Sequence, residues 1–194
     1  MSGFLEGTVV DVEEISEQKW KLLKQMDYQG ARELFQVPAG QTTDFASVPR
    51  IFVWFLPRYG RYTKAAILHD YLWEEKVPKG MSRIDADGLF RQAMRELNVP
   101  FLRRWIMWAA VRWAALFKSD GRTGWLKEFP RVLFFTLIGV FVILPPVLPI
   151  LFSLLVFHIM EWIAWVPLKI QNAMKSKMHK PETRVNKPSL DFNL

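Results

Sequence analysis

Three short polar motifs stand among apolar runs in this chain: Thr-Asp-Phe-Ala-Ser-Val-Pro at 43–49, His-Asp at 69–70 and Asp-Ala-Asp at 85–87. Burying such groups is costly unless each finds a hydrogen bond, a charge partner or a metal. Neutral imidazole with carboxylates suits Zn, Mn or Fe, provided that three or four ligands converge. Asp44, His69 and Asp87 are therefore the expected ligands of a divalent metal. Asp70 would orient His69 or act as general base. Ser47 would donate a hydrogen bond beside them; no Gly-x-Ser-x-Gly elbow supports it as a nucleophile. The competing expectation is a closed hydrogen-bond network that fixes the loop 40–49 against the helices. An open cleft beside the cluster would favour catalysis, and a sealed, fully paired cluster the network.

Each residue also has a structural use. Ser47 suits the N-cap of a helix over 48–56, with Pro49 in its first turn and Pro57 ending it. Asp44 can close a local turn. Ser82 followed by Asp85 resembles a capping box, so Asp85 is assigned to capping. His69 falls within the apolar arc formed by Ala65, Ala66, Leu68, Leu72 and Trp73, with Asp70 at its edge. Asp87 flanks the stripe Phe90, Ala93, Met94 and Leu97 and has no capping role. Its expected structural partner is Arg83 or Arg91.

The elements that must position these residues read as strands first and helices after, an α+β domain. KWKLLKQM at 19–26 and ARELFQVP at 31–38 read as a hairpin around Tyr28-Gln29-Gly30, with 6–13 as a third strand. Helical periodicity covers 48–56, 62–75, 83–97 and 101–117. The last of these is aromatic and basic, suited to packing on the domain or to lying at a membrane interface. The expected organisation is a domain at 1–120, a basic linker at 121–131, a membrane segment at 132–166 and a basic tail at 167–194.

VPAGQTTDFASVPR, GRYTKAAILHDYLW and SRIDADGLFRQAMREL resemble the phage and bacterial family known as domain of unknown function 1353. The shared order is V-P-x-G, T-D-x-x-S-x-P, H-D, A-D over roughly 30–117. The resemblance implies a phage or prophage origin and carries no established reaction. AAILHDYLW is also similar to the helix of HD-type phosphohydrolases. Those enzymes need a further upstream His, whereas His158 and His179 both lie downstream.

Residues 132–157 contain no charge and are polar only at Thr136 and Ser153. Such a run is expected to insert in a membrane. As one helix it reaches about 39 Å, enough for a tilted span. Pro145, Pro146 and Pro149 interrupt it, and basic residues flank both ends. The charge distribution favours a hairpin at the prolines, with both termini cytoplasmic. The first arm, 132–144, reaches only about 20 Å, which argues against a complete double span. The net charge of +7 fits contact with anionic lipid; without a nucleic-acid motif, nucleic acid is not the expected partner. A homo-oligomer or phage structural proteins are the other partners considered. The absence of Cys excludes disulfides and thiolate ligands.

These features lead to one expectation and one rival. The expectation is a membrane-anchored phage protein working as a metal-assisted hydrolase at the cell envelope. The rival is a non-enzymatic virion or envelope-interaction protein.

Overall fold

The computed structural model describes residues 2–45, 48, 52–57, 59–74, 81–118, 120–177 and 187–188. The chain divides into two compact units, Met1–Val48 with Phe52–Val142, and Pro49–Ile51 with Ile143–Leu194. Among the described residues six short strands precede four α-helices: β1 (Gly3–Phe4), β2 (Val12–Ser16), β3 (Lys19–Leu22), β4 (Met26–Gln29), β5 (Leu34–Val37), β6 (Thr42–Thr43), α1 (Thr63–Trp73), α2 (Arg83–Glu96), α3 (Phe101–Ala115) and α4 (Trp125–Lys177). The fold is α+β with a candidate membrane helix.

Two three-stranded antiparallel sheets form, ordered β1-β4-β5 and β2-β3-β6. The hairpin therefore differs from the one its apolar runs predict. β4 pairs with β5, and the Gly30 N–H bonds the Glu33 carbonyl at 2.8 Å to close the turn. Alternation decides this register: Met26 and Tyr28 are buried opposite Val37 and Phe35, while Asp27 and Gln29 face away. Lys19–Leu22 joins the other sheet, where Trp20 pairs with Thr43. The expected strand at 6–13 lies later, at Val12–Ser16.

The helical periodicity at 62–75, 83–97 and 101–117 corresponds to α1, α2 and α3. α2 begins with a capping box in which Ser82 Oγ accepts the Asp85 N–H and the Asp85 carboxylate accepts the Ser82 N–H. Of the expected helix at 48–56, residues 49–51 and the Ser47 cap lie outside the described residues, and 52–56 form tight turns rather than an α-helix. Within 52–57, the N–H groups of Phe55 and Leu56 bond the Phe52 carbonyl.

One core gathers Leu22, Tyr28, Val37, Leu68, Phe90 and Met94 with their neighbours between sheets and helices. A second joins Trp108 and Ala109 of α3 to Val132 and Phe135 of α4. Packing of the first unit thus runs past the expected domain end at 120. The connection is tight: a Cβ on Gly121 would collide with the Ala115 carbonyl oxygen. Phe135 is buried and stacks on Trp105 at 4.5 Å with an interplanar angle of 10°. Phe135→Ala should lower the unfolding free energy by about 3 kcal/mol, read as an earlier chemical-denaturation midpoint of the full chain in detergent.

In the second unit α4 continues to Lys177. It is long and apolar enough to cross a membrane, and none of its most apolar window is buried. The turn that charge patterning predicts at Pro145–Pro149 is not formed; the residues there stay helical. Each proline removes one backbone donor, whereas a turn inside lipid would leave several polar groups without partners. Ser153 donates to the Pro149 carbonyl at 2.9 Å, using its hydroxyl within the helix.

Candidate functional site

α1 and α2 lie side by side, and their facing residues build a polar core. His69 falls on the buried face of α1, as its place in the apolar arc requires. Asp87 is completely buried on α2. His69 Nε2 lies 2.7 Å from Asp87 Oδ1, and Trp73 Nε1 donates to the same oxygen at 2.9 Å. Arg112 of α3 donates through its terminal nitrogen to Asp87 Oδ2 at 2.8 Å. Three donors on an ionised carboxylate are the arrangement that makes burial of its charge tolerable. A carboxylate can only accept, so His69 Nε2 is the donor of its bond to Asp87. The ring is held between Phe90 and Trp73, with centroids at 4.7 and 5.4 Å.

Arg112 is itself completely buried. Glu128 Oε2, on the first turns of α4, lies 2.8 Å from its Nε in an ionic contact without hydrogen-bond alignment. Trp125 Nε1 donates to the Arg112 carbonyl at 3.0 Å. The chain therefore ties Asp87 to α3 and the start of α4.

Asp70, one residue on from His69, meets a different environment. Thr43 Oγ1 donates to its Oδ2 at 2.6 Å. The same hydroxyl accepts the Phe45 N–H at 2.9 Å, bracing the loop that follows β6. Phe45 occupies the left-handed region at φ 64°, a conformation that costs a non-glycine residue about 1–2 kcal/mol. Its ring is buried and packs on Trp20 with centroids at 4.8 Å. Desolvation raises the Asp70 pKa from 3.8 to about 8, with the Asp44 and Glu74 charges adding and the Thr43 hydrogen bond opposing. Asp70 is thus a carboxylic acid at neutral pH, able to give up a proton.

His69 and Asp70 share the wall of a cleft of about 520 Å³ that opens to solvent. Asp44, Glu74, Lys19 and Lys118 supply its charge. Phe45, Trp73, Phe90 and Met107 supply apolar wall, and small residues of α3, Ala110 and Ala114, leave it room. Asp44, His69 and Asp70 therefore meet around one space, with Asp87 directly behind His69. Ser47 lies outside the described residues.

The metal expectation meets a chemical difficulty at Asp87. Both its oxygens are engaged by N–H donors, one of them cationic, so an added cation there would face the Arg112 guanidinium. Among the described residues no group of three or more His, Asp and Glu side chains is placed to hold a metal ion.

Sequence reasoning missed Arg112, Trp73, Thr43 and Glu128. Arg112 did leave a signal: it lies among Trp108, Ala109 and Ala115 on the buried face of α3, where an Arg requires a partner. The expected partners of Asp87 are occupied elsewhere. Arg83 pairs with Asp120 at 2.6 Å, and Arg91 stacks on Trp105.

No curated protein and no solved structure matches the chain. Residues 20–111 match the family model described as "Protein of unknown function (DUF1353)". That stretch runs from β3 to α3 and contains Asp44, His69, Asp70 and Asp87. The segment that builds the cleft wall from β6 and α1 therefore lies within the stretch that is similar to the DUF1353 family.

Proposed function

We propose that the cleft is the active site of a membrane-anchored hydrolase acting by general acid–base catalysis on a cell-envelope polymer. One arrangement carries the reading: a carboxyl whose burial pushes its pKa up to about 8 and a carboxylate-oriented imidazole share the wall of one cleft that opens to solvent. Groups whose environments separate their proton affinities are suited to opposite roles in one reaction. His69 Nδ1 would take a proton from the attacking water. Asp70 would give its proton to the departing oxygen or nitrogen, and the two exchange protons with solvent afterwards. The apolar and charged walls fit a substrate with both hydrophobic and polar faces. The apolar part of α4 would keep the enzyme at the membrane, in keeping with the phage setting that the sequence resemblance implied.

A rival reading rests on Asp87. Its three donors make a complete network, which serves equally well to lock α1, α2 and α3 together in a non-enzymatic envelope protein. The test uses the purified full chain in detergent and dye-labelled peptidoglycan sacculi, with release of soluble dye as the readout. Asp70→Asn and His69→Gln should each reduce release at least 100-fold. Release should fall as pH rises through about 8, because the acid must hold its proton. No release by the native chain, or release unaffected by either substitution, would favour the structural reading. Release abolished by EDTA and restored by Zn or Mn would instead give Asp44 and His69 the metal-binding role expected from sequence.

The continuous α4 also bears on topology. A single span puts the two ends of the chain on opposite faces, contrary to the charge-based expectation of two cytoplasmic termini. The native chain has no Cys, so single cysteines at Ser2 and Ser189 report this directly. Impermeant maleimide should label them from opposite faces of sealed vesicles; labelling from one face would restore the hairpin.

A further inference from the structure

Arginines from three helices gather around Trp105, on a part of the first unit distinct from the cleft. The Arg91 guanidinium of α2 lies 4.1 Å from the Trp105 ring centroid and 5.7 Å from that of Trp108. Arg131 of α4 approaches the same indole at 5.8 Å. Arg104 of α3 lies over Phe101 at 5.5 Å. Two cations on one indole repel each other, and cation–π attraction offsets that by only about 1 kcal/mol apiece.

The charges are mutually felt. Burial lowers the Arg91 pKa first, followed by the charges of Arg131 and Arg104, with Glu128 opposing and Arg95 adding. Arg104 is lowered by burial and then by Arg95. Glu128 lies against Arg112 instead. Among the described residues, none of Arg91, Arg95, Arg104 and Arg131 has a carboxylate within ion-pair distance. Arg91 Nε and Trp105 Nε1 are buried without a hydrogen-bond acceptor. A like-charge cluster with buried, unanswered donors calls for an anion rich in acceptor oxygens.

Position selects the kind of anion. Arg131 immediately precedes the uncharged run that starts at Val132. Trp105 is stacked on Phe135, one turn further along that run. An indole with arginines at the edge of an apolar span belongs at headgroup depth. We propose that Arg91, Arg104 and Arg131, around Trp105, form a binding site for the phosphodiester headgroup of an anionic phospholipid. This rests on the reading that the apolar part of α4 lies in the membrane. Guanidinium groups suit a phosphodiester because their forked donors match its two free oxygens, and nearby lipid keeps the interaction at high local concentration.

The test uses the full chain in dodecyl maltoside, with thermal unfolding followed by circular dichroism. Phosphatidylglycerol should raise the melting temperature by several degrees, while equimolar phosphatidylcholine and inorganic phosphate should not. Arg131→Gln and Arg104→Gln should each remove most of that shift, and Lys21→Gln on β3 should keep it. Both arginines retain solvent exposure, so two independent variants guard against a folding failure in one. An equal shift with phosphatidylcholine, an equal shift with phosphate, or a full shift in both arginine variants would overturn the site. Flotation with neutral vesicles separates the underlying reading. A chain that fails to float is not membrane-inserted, whereas one that floats without any phosphatidylglycerol preference refutes only the headgroup site.

Discussion

Asp87→Ala should destabilise the first unit by about 3–5 kcal/mol, the largest loss expected from a single polar substitution. The change removes the acceptor of three donors at once. Arg112, completely buried, would keep a full charge with only Glu128 nearby. His69 Nε2 and Trp73 Nε1 would lose their shared oxygen. The cost is chiefly that of the orphaned charge, so it should shrink when the charge is removed too. Asp87→Ala combined with Arg112→Met should recover part of the loss, because an apolar replacement of a buried pair is often nearly neutral. Chemical denaturation of the four forms measures this as a double-mutant cycle. A loss under about 1 kcal/mol for Asp87→Ala would mean that the three bonds do not carry the interaction described.

Asp70→Asn should do the reverse to stability. The folded protein binds the Asp70 proton more tightly than the unfolded chain does, with the pKa raised from 3.8 to about 8. Its contribution is fully present below the unfolded pKa and is lost as pH rises through the folded one. Between about pH 4 and pH 8 the native chain should therefore lose stability with rising pH on account of this group. Asparagine has the shape of the neutral acid and cannot ionise. The variant should be the more stable form above pH 8, by up to several kcal/mol, and its stability should depend less on pH across that window. Unfolding midpoints at pH 5, 7 and 9 give the comparison. A variant that is less stable than the native chain at pH 9 would show that the Asp70 carboxylate is welcomed by its surroundings.

Much of this was legible in the residues. The three domain helices follow from 3.6-residue periodicity, and α2 carries its own start signal in Ser82 and Asp85. His69 and Asp87 stood out because each is polar on an apolar face, and packing α1 on α2 brings them to 2.7 Å. The strands were harder. Runs of four residues fit several registers, and only the burial of Tyr28 against Phe35 shows that β4 pairs with β5. The chemistry of the site depended most on contacts distant in sequence. Arg112 reaches Asp87 from 25 positions away, which turns an expected ligand into the internal half of a charge pair. The state of Asp70 is set first by burial, with the Asp44 charge adding and the Thr43 hydrogen bond opposing, and no local pattern encodes where β6 and the loop after it are placed. The continuation of α4 through three prolines was obscured by charge patterning, which speaks to the flanks and not to the backbone bonds between them.

The claim on which the functional reading stands is that Asp70 is an acid at neutral pH. Full-length protein with ¹³Cγ-labelled aspartate, in detergent, allows the Asp70 resonance to be assigned by its loss in Asp70→Asn and followed from pH 4 to pH 10. The structure predicts a midpoint near 8, well separated from the exposed carboxyl groups. A midpoint at or below about 4.5, the range of an ordinary carboxylate, would leave the cleft without its acid and contradict the proposed catalysis.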